Sequence, residues 1–262
     1  MRREVFIRPT RFNLFFRSEN NESATKNTDF SILGKSNSFR INPPVKEGRL
    51  QSFGFEFNYN YHPQRRFEDF GFQIGGEISQ PDIFPTDFNF SQIYWGLMWR
   101  TKTLPLWRLD IRTTGGIGFG EMPPQRFFAL ESSVSGISAQ RAFRGMNVKE
   151  FYGSQYWTFS FEHNFGEIIP GILRIPNIAE FGIEFLTYAN IGWSKFSNEA
   201  LLPKDEKLKS FYNSTDPTND KYYYEVGLGL NKLLIFFRFD ITARLSQTDS
   251  PRFFFTLTSA VF

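Results

Sequence analysis

The chain has 262 residues, no cysteine and a formal net charge of +3, with both signs spread along its length. This excludes a disulfide framework and thiolate metal sites, and it leaves no basic footprint for nucleic acid. It is 19% aromatic with 34 phenylalanines, yet its mean hydropathy is −0.36. The apolar residues are therefore dispersed among polar ones, and no run of about 20 apolar residues could form a membrane-spanning helix.

At the start, Met1-Arg2-Arg3 is followed by only Val5, Phe6 and Ile7 before Arg8 and Pro9, too short an apolar stretch for a secretory signal. The expectation is a mature segment, or the C-terminal piece of a longer precursor. Weak alternation of apolar and polar residues predicts strands near 4-17 and 29-42. Stronger alternation predicts strands near 50-61, 68-79, 90-101 and 106-119. A long irregular stretch over 120-154 follows, and then strands near 155-165, 180-194, 221-230, 232-245 and 252-262. These make about eleven segments of about ten residues, the pattern of an all-β, antiparallel transmembrane β-barrel, read here as one domain over 1-262. Short connections at His62-Pro63-Gln64-Arg65-Arg66, Lys102-Thr103-Leu104-Pro105 and Asn231-Lys232 alternate with long ones at 120-154 and 195-220. Short periplasmic turns and long external loops are the habit of outer-membrane barrels, so the cell outer membrane is the expected location and its lipid the expected surroundings.

Parity assigns the two faces of each strand, because successive side chains of a strand point to opposite sides. Phe181, Ile183, Phe185, Ala189, Ile191 and Trp193 share one face, with Gly182, Glu184, Tyr188, Asn190 and Gly192 on the other. Trp157, Phe159, Phe161 and Phe165 oppose Thr158, Ser160, Glu162 and Asn164. Leu233, Ile235, Phe237, Phe239 and Ile241 oppose Arg238, Asp240, Thr242 and Arg244, and Trp107, Leu109 and Ile111 oppose Arg108, Asp110 and Arg112. Charge on both signs then lines a lumen, where it is cheap if hydrated or paired and expensive against lipid. The last strand puts Phe253, Phe255, Leu257 and Val261 on one face. Terminal Phe262 falls with Arg252, Phe254, Thr256, Thr258 and Ala260 unless a bulge intervenes.

The long loop carries Ala142-Phe143-Arg144-Gly145-Met146, preceded by Gly115-Gly116-Ile117-Gly118-Phe119-Gly120 and followed by Phe161-Glu162. This order resembles the bacterial surface-antigen superfamily, the barrels of outer-membrane assembly factors and two-partner secretion translocators. In that family a loop tip with a central Arg-Gly folds back into the barrel ahead of a strand with an inward glutamate. Arg144-Gly145 matches the central pair and Glu162 stands at the glutamate. The family's sixteen strands place five after the motif loop, as alternation predicts here after residue 154. Its closing strands resemble Glu225-Val226-Gly227-Leu228-Gly229-Leu230 and Arg238-Phe239-Asp240.

The resemblance covers roughly 106-262 and has departures. Both residues flanking Arg144-Gly145 differ, and Tyr188 stands nearest to where the family has an aspartate. The stretch from Met146 to Gly166 also resembles an uncharacterised branch with a carboxypeptidase-regulatory-like domain upstream. With at most six strands before the loop, the chain is either the C-terminal part of a sixteen-strand barrel or a smaller barrel of about eleven or twelve strands. The resemblance implies a role in outer-membrane protein assembly or translocation, an unfolded protein as substrate, and Phe262 as a terminal signal read by the barrel-assembly machinery during insertion.

A guanidinium can fork to carboxylates on two strands, which suits Arg144 to latch the loop inside the lumen. Gly145 lets the tip turn where a Cβ would clash. Glu162 is the expected partner, with Glu184 and Asp240 as further same-face acids. The competing reading is a loop arginine in water. A passive porin needs a wider lumen than about a dozen strands leave once charged side chains fill it. A lipid-modifying enzyme needs a nucleophile and base within reach, and the only histidines are His62, in a Pro-containing turn, and His163, on an aromatic face. Metal-ligand spacing is absent and no cofactor is expected. A soluble β-barrel or sandwich would have to hide the phenylalanines inside.

Overall fold

The computed structural model describes residues 10–22, 45–61, 68–105, 107–132, 142–146, 150–168, 182–197, 221–246 and 250–260. Twelve strands run in chain order: β1 (Thr10–Asn21), β2 (Gly48–Tyr61), β3 (Asp69–Ser79), β4 (Phe90–Leu104), β5 (Trp107–Gly120), β6 (Phe128–Ala129), β7 (Tyr152–Gly153), β8 (Gln155–Asn164), β9 (Glu184–Lys195), β10 (Tyr222–Leu233), β11 (Phe237–Arg244) and β12 (Arg252–Ser259). Ten of them form one antiparallel sheet in the order β1-β2-β3-β4-β5-β8-β9-β10-β11-β12, while β6 and β7 pair separately inside the long loop. Each sheet strand thus pairs with its predecessor among these ten, a meander. Among the described residues β1 and β12 do not pair with each other, so the wall is open there.

Nine of the strands expected from alternation coincide with sheet strands within a few residues, and the one near 4-17 is β1. The strand expected near 29-42 lies outside the described residues, as do the His62 turn, the 198-220 loop and Phe262. The β10–β11 connection differs from expectation. β10 runs on past Asn231-Lys232 through a register shift, and the turn is Leu234-Ile235-Phe236. The cause is Glu184, which takes hydrogen bonds from the Asn231 amide and the Lys232 ammonium and draws both polar residues off the turn.

The sheet turns the usual distribution of residues inside out. Phe12, Phe253, Phe255 and Leu228 stand half or more exposed on the outer face, while Arg238, Asp240, Glu225 and Thr242 are buried on the inner face. Charged side chains of soluble domains are almost never fully buried unless paired, and here they are paired. Arg100 bonds Asp110 at 2.5 Å and Asp69 at 3.3 Å, linking β3, β4 and β5. Arg108 reaches Asp110 at 3.0 Å. Glycines on the inner face accept large neighbours from the next strand. A Cβ at Gly227 would lie 2.2 Å from the Tyr188 ring, so the ring packs flat on the β10 backbone.

Candidate functional site

The inward loop leaves β5 at Gly120, whose φ of +76° suits glycine. Its described residues pack against the sheet. Met122 joins Leu50, Phe88 and Phe90 in a buried cluster against which Phe127 and Phe128 pack. A 3₁₀ turn at Pro124–Arg126 aims Arg126 at β1, where it donates to Glu19 at 2.8 Å and lies 3.7 Å from Glu77 of β3. Arg17 of β1 also bonds Glu77, at 2.8 Å. Gln125 and Lys46 exchange hydrogen bonds through backbone and side chain. This first anchor fastens the loop to the β1–β3 end of the sheet.

The second anchor lies on the opposite end. β6 and β7 pair Phe128 with Gly153 and Ala129 with Tyr152, and beyond them Leu130, Phe143, Met146 and Phe151 bury themselves around Tyr223 of β10. Phe143 and Phe151 both meet the Tyr223 ring edge-on, with centroids 5.4 Å away. That apolar packing presents the backbone of the tip to Glu225, two residues further along the same strand face. The Glu225 carboxylate accepts the Arg144 N–H at 3.1 and 3.2 Å, the Gly145 N–H at 2.8 Å, the Asn190 amide at 2.7 Å and the Tyr223 hydroxyl at 2.8 Å. Gly145 is required by contact: a Cβ there would stand 2.8 Å from the Tyr223 hydroxyl and 3.1 Å from the Phe254 ring.

The Arg144 side chain continues inward and is 3% exposed. Its Nε donates to Asp240 of β11 at 3.0 Å, and its guanidinium carbon stands 4.1 Å from the centroid of the Tyr188 ring. Its Nη2 lies 3.8 Å from Glu162 Oε2. Glu162 forms a closer ion pair with Arg238, at 2.7 Å, and the Arg238 Nε donates to both Asp240 oxygens at 2.9 and 3.1 Å. The four charges thus form one buried network across β8, β11 and the loop. Arg244 closes the site with two bonds to Glu150, at 3.0 and 2.7 Å, the fork geometry that arginine offers a carboxylate.

Of the residues expected in a latch, the structure brings Arg144, Gly145, Asp240 and Glu162 together, with Asp240 as the hydrogen-bonded acid and Glu162 at ion-pair distance. Glu184 is placed differently: it accepts from Asn164, Asn231 and Lys232 near the β10–β11 turn. Tyr188, the residue nearest to where the resembled family has an aspartate, offers Arg144 a ring face. Sequence reasoning passed over Glu225 as a site residue, although it shares strand parity with Gly227 and Gly229. Two of the donors it accepts from are backbone N–H groups of a distant loop, for which no sequence pattern exists. His163 meets Trp107 and Phe165 edge-on and shares a hydrogen bond with the Thr103 hydroxyl at 2.8 Å.

The class defined by these features is an all-β antiparallel barrel wall with a loop folded onto its inner face. No family model and no curated protein matches the chain. Among solved structures it is similar to the crystal structure of BamA from Haemophilus ducreyi lacking POTRA domains 1-3, with a TM-score of 0.51 and 14% sequence identity. The match covers 86% of this chain and 46% of that one, so the chain spans about half the length of its structural neighbour. At this identity the likeness is one of fold.

Proposed function

We propose that the protein is an outer-membrane β-barrel of the surface-antigen type, working in the assembly or translocation of other outer-membrane proteins. The observation that carries the reading is the buried Arg144-Gly145 tip, held by Glu225 and Asp240 on the inner wall. Two further features support it. The outer face bears Phe12, Leu14, Phe16, Phe53, Trp99, Phe253 and Phe255, all well exposed, an apolar surface suited to lipid. The fold is similar to that of a BamA barrel. In this reading the partners are outer-membrane lipid, an unfolded protein substrate, and the assembly machinery during the chain's own insertion. The latch keeps the loop against the wall, whose edge strands among the described residues are β1 and β12.

The test is reconstitution in lipid vesicles, with the insertion of a small unfolded barrel protein followed by protease protection. Wild-type protein should accelerate insertion over empty vesicles, and Arg144→Ala with Glu162→Ala should lose the acceleration together with the loop's protease resistance. No acceleration by the wild type overturns the assembly role. Unchanged protease resistance and heat-modifiability in the double variant overturn the latch.

One observation favours a second reading, a restricted pore. A polar cavity of about 490 Å³, lined by Asn58, Asn60, Gln73, Arg112, Thr114 and Glu131 among others, remains beside the loop on the inner face. Large, stable single-channel steps would favour it, and small flickering ones the latched barrel. The proposed function is non-enzymatic. Lipid hydrolysis by the purified protein that disappears in His163→Ala would overturn that.

A further inference from the structure

The turn between β10 and β11 is built from the wrong residues for water. Leu233-Leu234-Ile235-Phe236-Phe237 is an unbroken apolar run without charge, and Leu234, Ile235 and Phe236 are 82%, 61% and 68% exposed. Tight hairpin turns normally use Gly, Asn or Asp, which tolerate left-handed backbone and solvation. Here Lys232, Leu234 and Ile235 take φ values of +62°, +46° and +73°, an unfavourable conformation for branched side chains. The conformation is nonetheless anchored. The Ile235 N–H bonds the Lys232 carbonyl at 3.0 Å, and the Ala260 N–H bonds the Phe236 carbonyl at 2.8 Å, tying the turn to the end of β12. The polar neighbours are withdrawn: Asn231 is fully buried, and both it and Lys232 bond Glu184.

The tip also continues a larger surface. On β11, Phe237, Phe239 and Ile241 face outward, and Phe255 and Leu257 of β12 lie beside Ile241 and Phe239 in the register. No charged residue separates this surface from the turn. The β4–β5 turn at the same end of the sheet also exposes Leu104, but Thr101, Lys102 and Thr103 separate that turn from Trp99.

We infer that the β10–β11 tip is a lipid anchor, with Leu234, Ile235 and Phe236 immersed in the bilayer leaflet at the short-turn end, next to the end of β12. This rests on the reading that the outer face meets lipid. A phospholipid bilayer is the occupant because the surface is uncharged, convex and continuous with the outer belt. The anchor fixes how deeply the β10–β12 end of the wall rides in the membrane.

The absence of cysteine from the chain permits single labels at Ile235→Cys and, where backbone φ is ordinary, at Phe236→Cys. Phe255→Cys on the belt and Asp82→Cys in the exposed β3–β4 turn serve as references. Each carries an NBD fluorophore in vesicles of phosphatidylcholine and phosphatidylglycerol, with quenching by doxyl lipids or by aqueous iodide. The expected result is blue-shifted tip emission, quenched several-fold more by shallow doxyl lipid than by iodide, with the Asp82 label showing the reverse. Iodide-quenched tip labels beside a lipid-quenched belt label would overturn the anchor, leave the membrane reading intact and point to water or a soluble partner at the tip. A belt label quenched by iodide alone would overturn the membrane reading and the anchor with it.

Discussion

Replacing Glu225 by glutamine keeps the shape of a carboxylate that receives four donors: the Arg144 and Gly145 N–H groups, the Asn190 amide and the Tyr223 hydroxyl. Glutamine offers one oxygen and, in place of the other, an NH₂ that faces a donor. If the oxygen stays toward Asn190, the Gly145 N–H loses its acceptor, while the Tyr223 hydroxyl can rotate to accept. Hydrogen bonds to charged groups contribute about 1.5–3 kcal/mol each. Weakening the two backbone bonds that hold the tip should therefore cost about 3 kcal/mol of local opening free energy. At 1.4 kcal/mol per tenfold, that is roughly a hundredfold more frequent opening. Hydrogen exchange of the peptide spanning 142–146 reads this directly, because two of the affected donors are its own amides. The expected result is exchange faster by about two decades there, with the β2–β4 amides unchanged. Exchange at Gly145 equal to wild type would refute the assignment of Glu225 as the acceptor that seats the tip.

Gly145→Ala places a methyl 2.8 Å from the Tyr223 hydroxyl, and overpacking of this kind costs about 1–3 kcal/mol, so the tip should become protease-sensitive while the strand content by circular dichroism is kept. Gly227→Ala displaces the Tyr188 ring beneath Arg144; loss of loop protection in that variant, whose substitution touches no loop residue, checks that the ring transmits the effect. Arg126→Ala frees the loop's first anchor on Glu19 and Glu77, and spin labels on β1 and β12 should report a broader distance distribution, whereas an unchanged one would show that the anchor does not tie the two sheet ends. Arg244→Lys removes the two-pronged bond to Glu150; the loss should show as a lower unfolding midpoint in detergent, rescued by no added salt.

The strands were legible because their physics is local. A side-chain period of two, kept over about ten residues at a time, needs no knowledge of the rest of the chain, and the existence of the long sheet strands, with the faces of β5, β8, β9 and β11, follows from it, whereas the two-residue β6 and β7 do not. The inward placement of Arg238, Asp240 and Glu162 follows from parity in the same way. The β10–β11 turn escaped this reading because Asn231 and Lys232 look like turn residues until Glu184, far away in the chain, is brought within bonding distance.

The candidate site divides along the same line. Arg144-Gly145 could be singled out from its order among glycine-rich and glutamate-bearing strands, and the acids could be confined to one face. Which acid meets which part of the tip was decided by tertiary structure alone. The packing of Phe143 and Phe151 on Tyr223 sets the height of the loop above the sheet, and that height hands the tip backbone to Glu225, the Arg144 side chain to Asp240, and Glu162 chiefly to Arg238. Alternation in the amino-acid order is a property of neighbours along the strand, whereas the pairing of a loop with a wall depends on side-chain volumes that meet only after the sheet has formed.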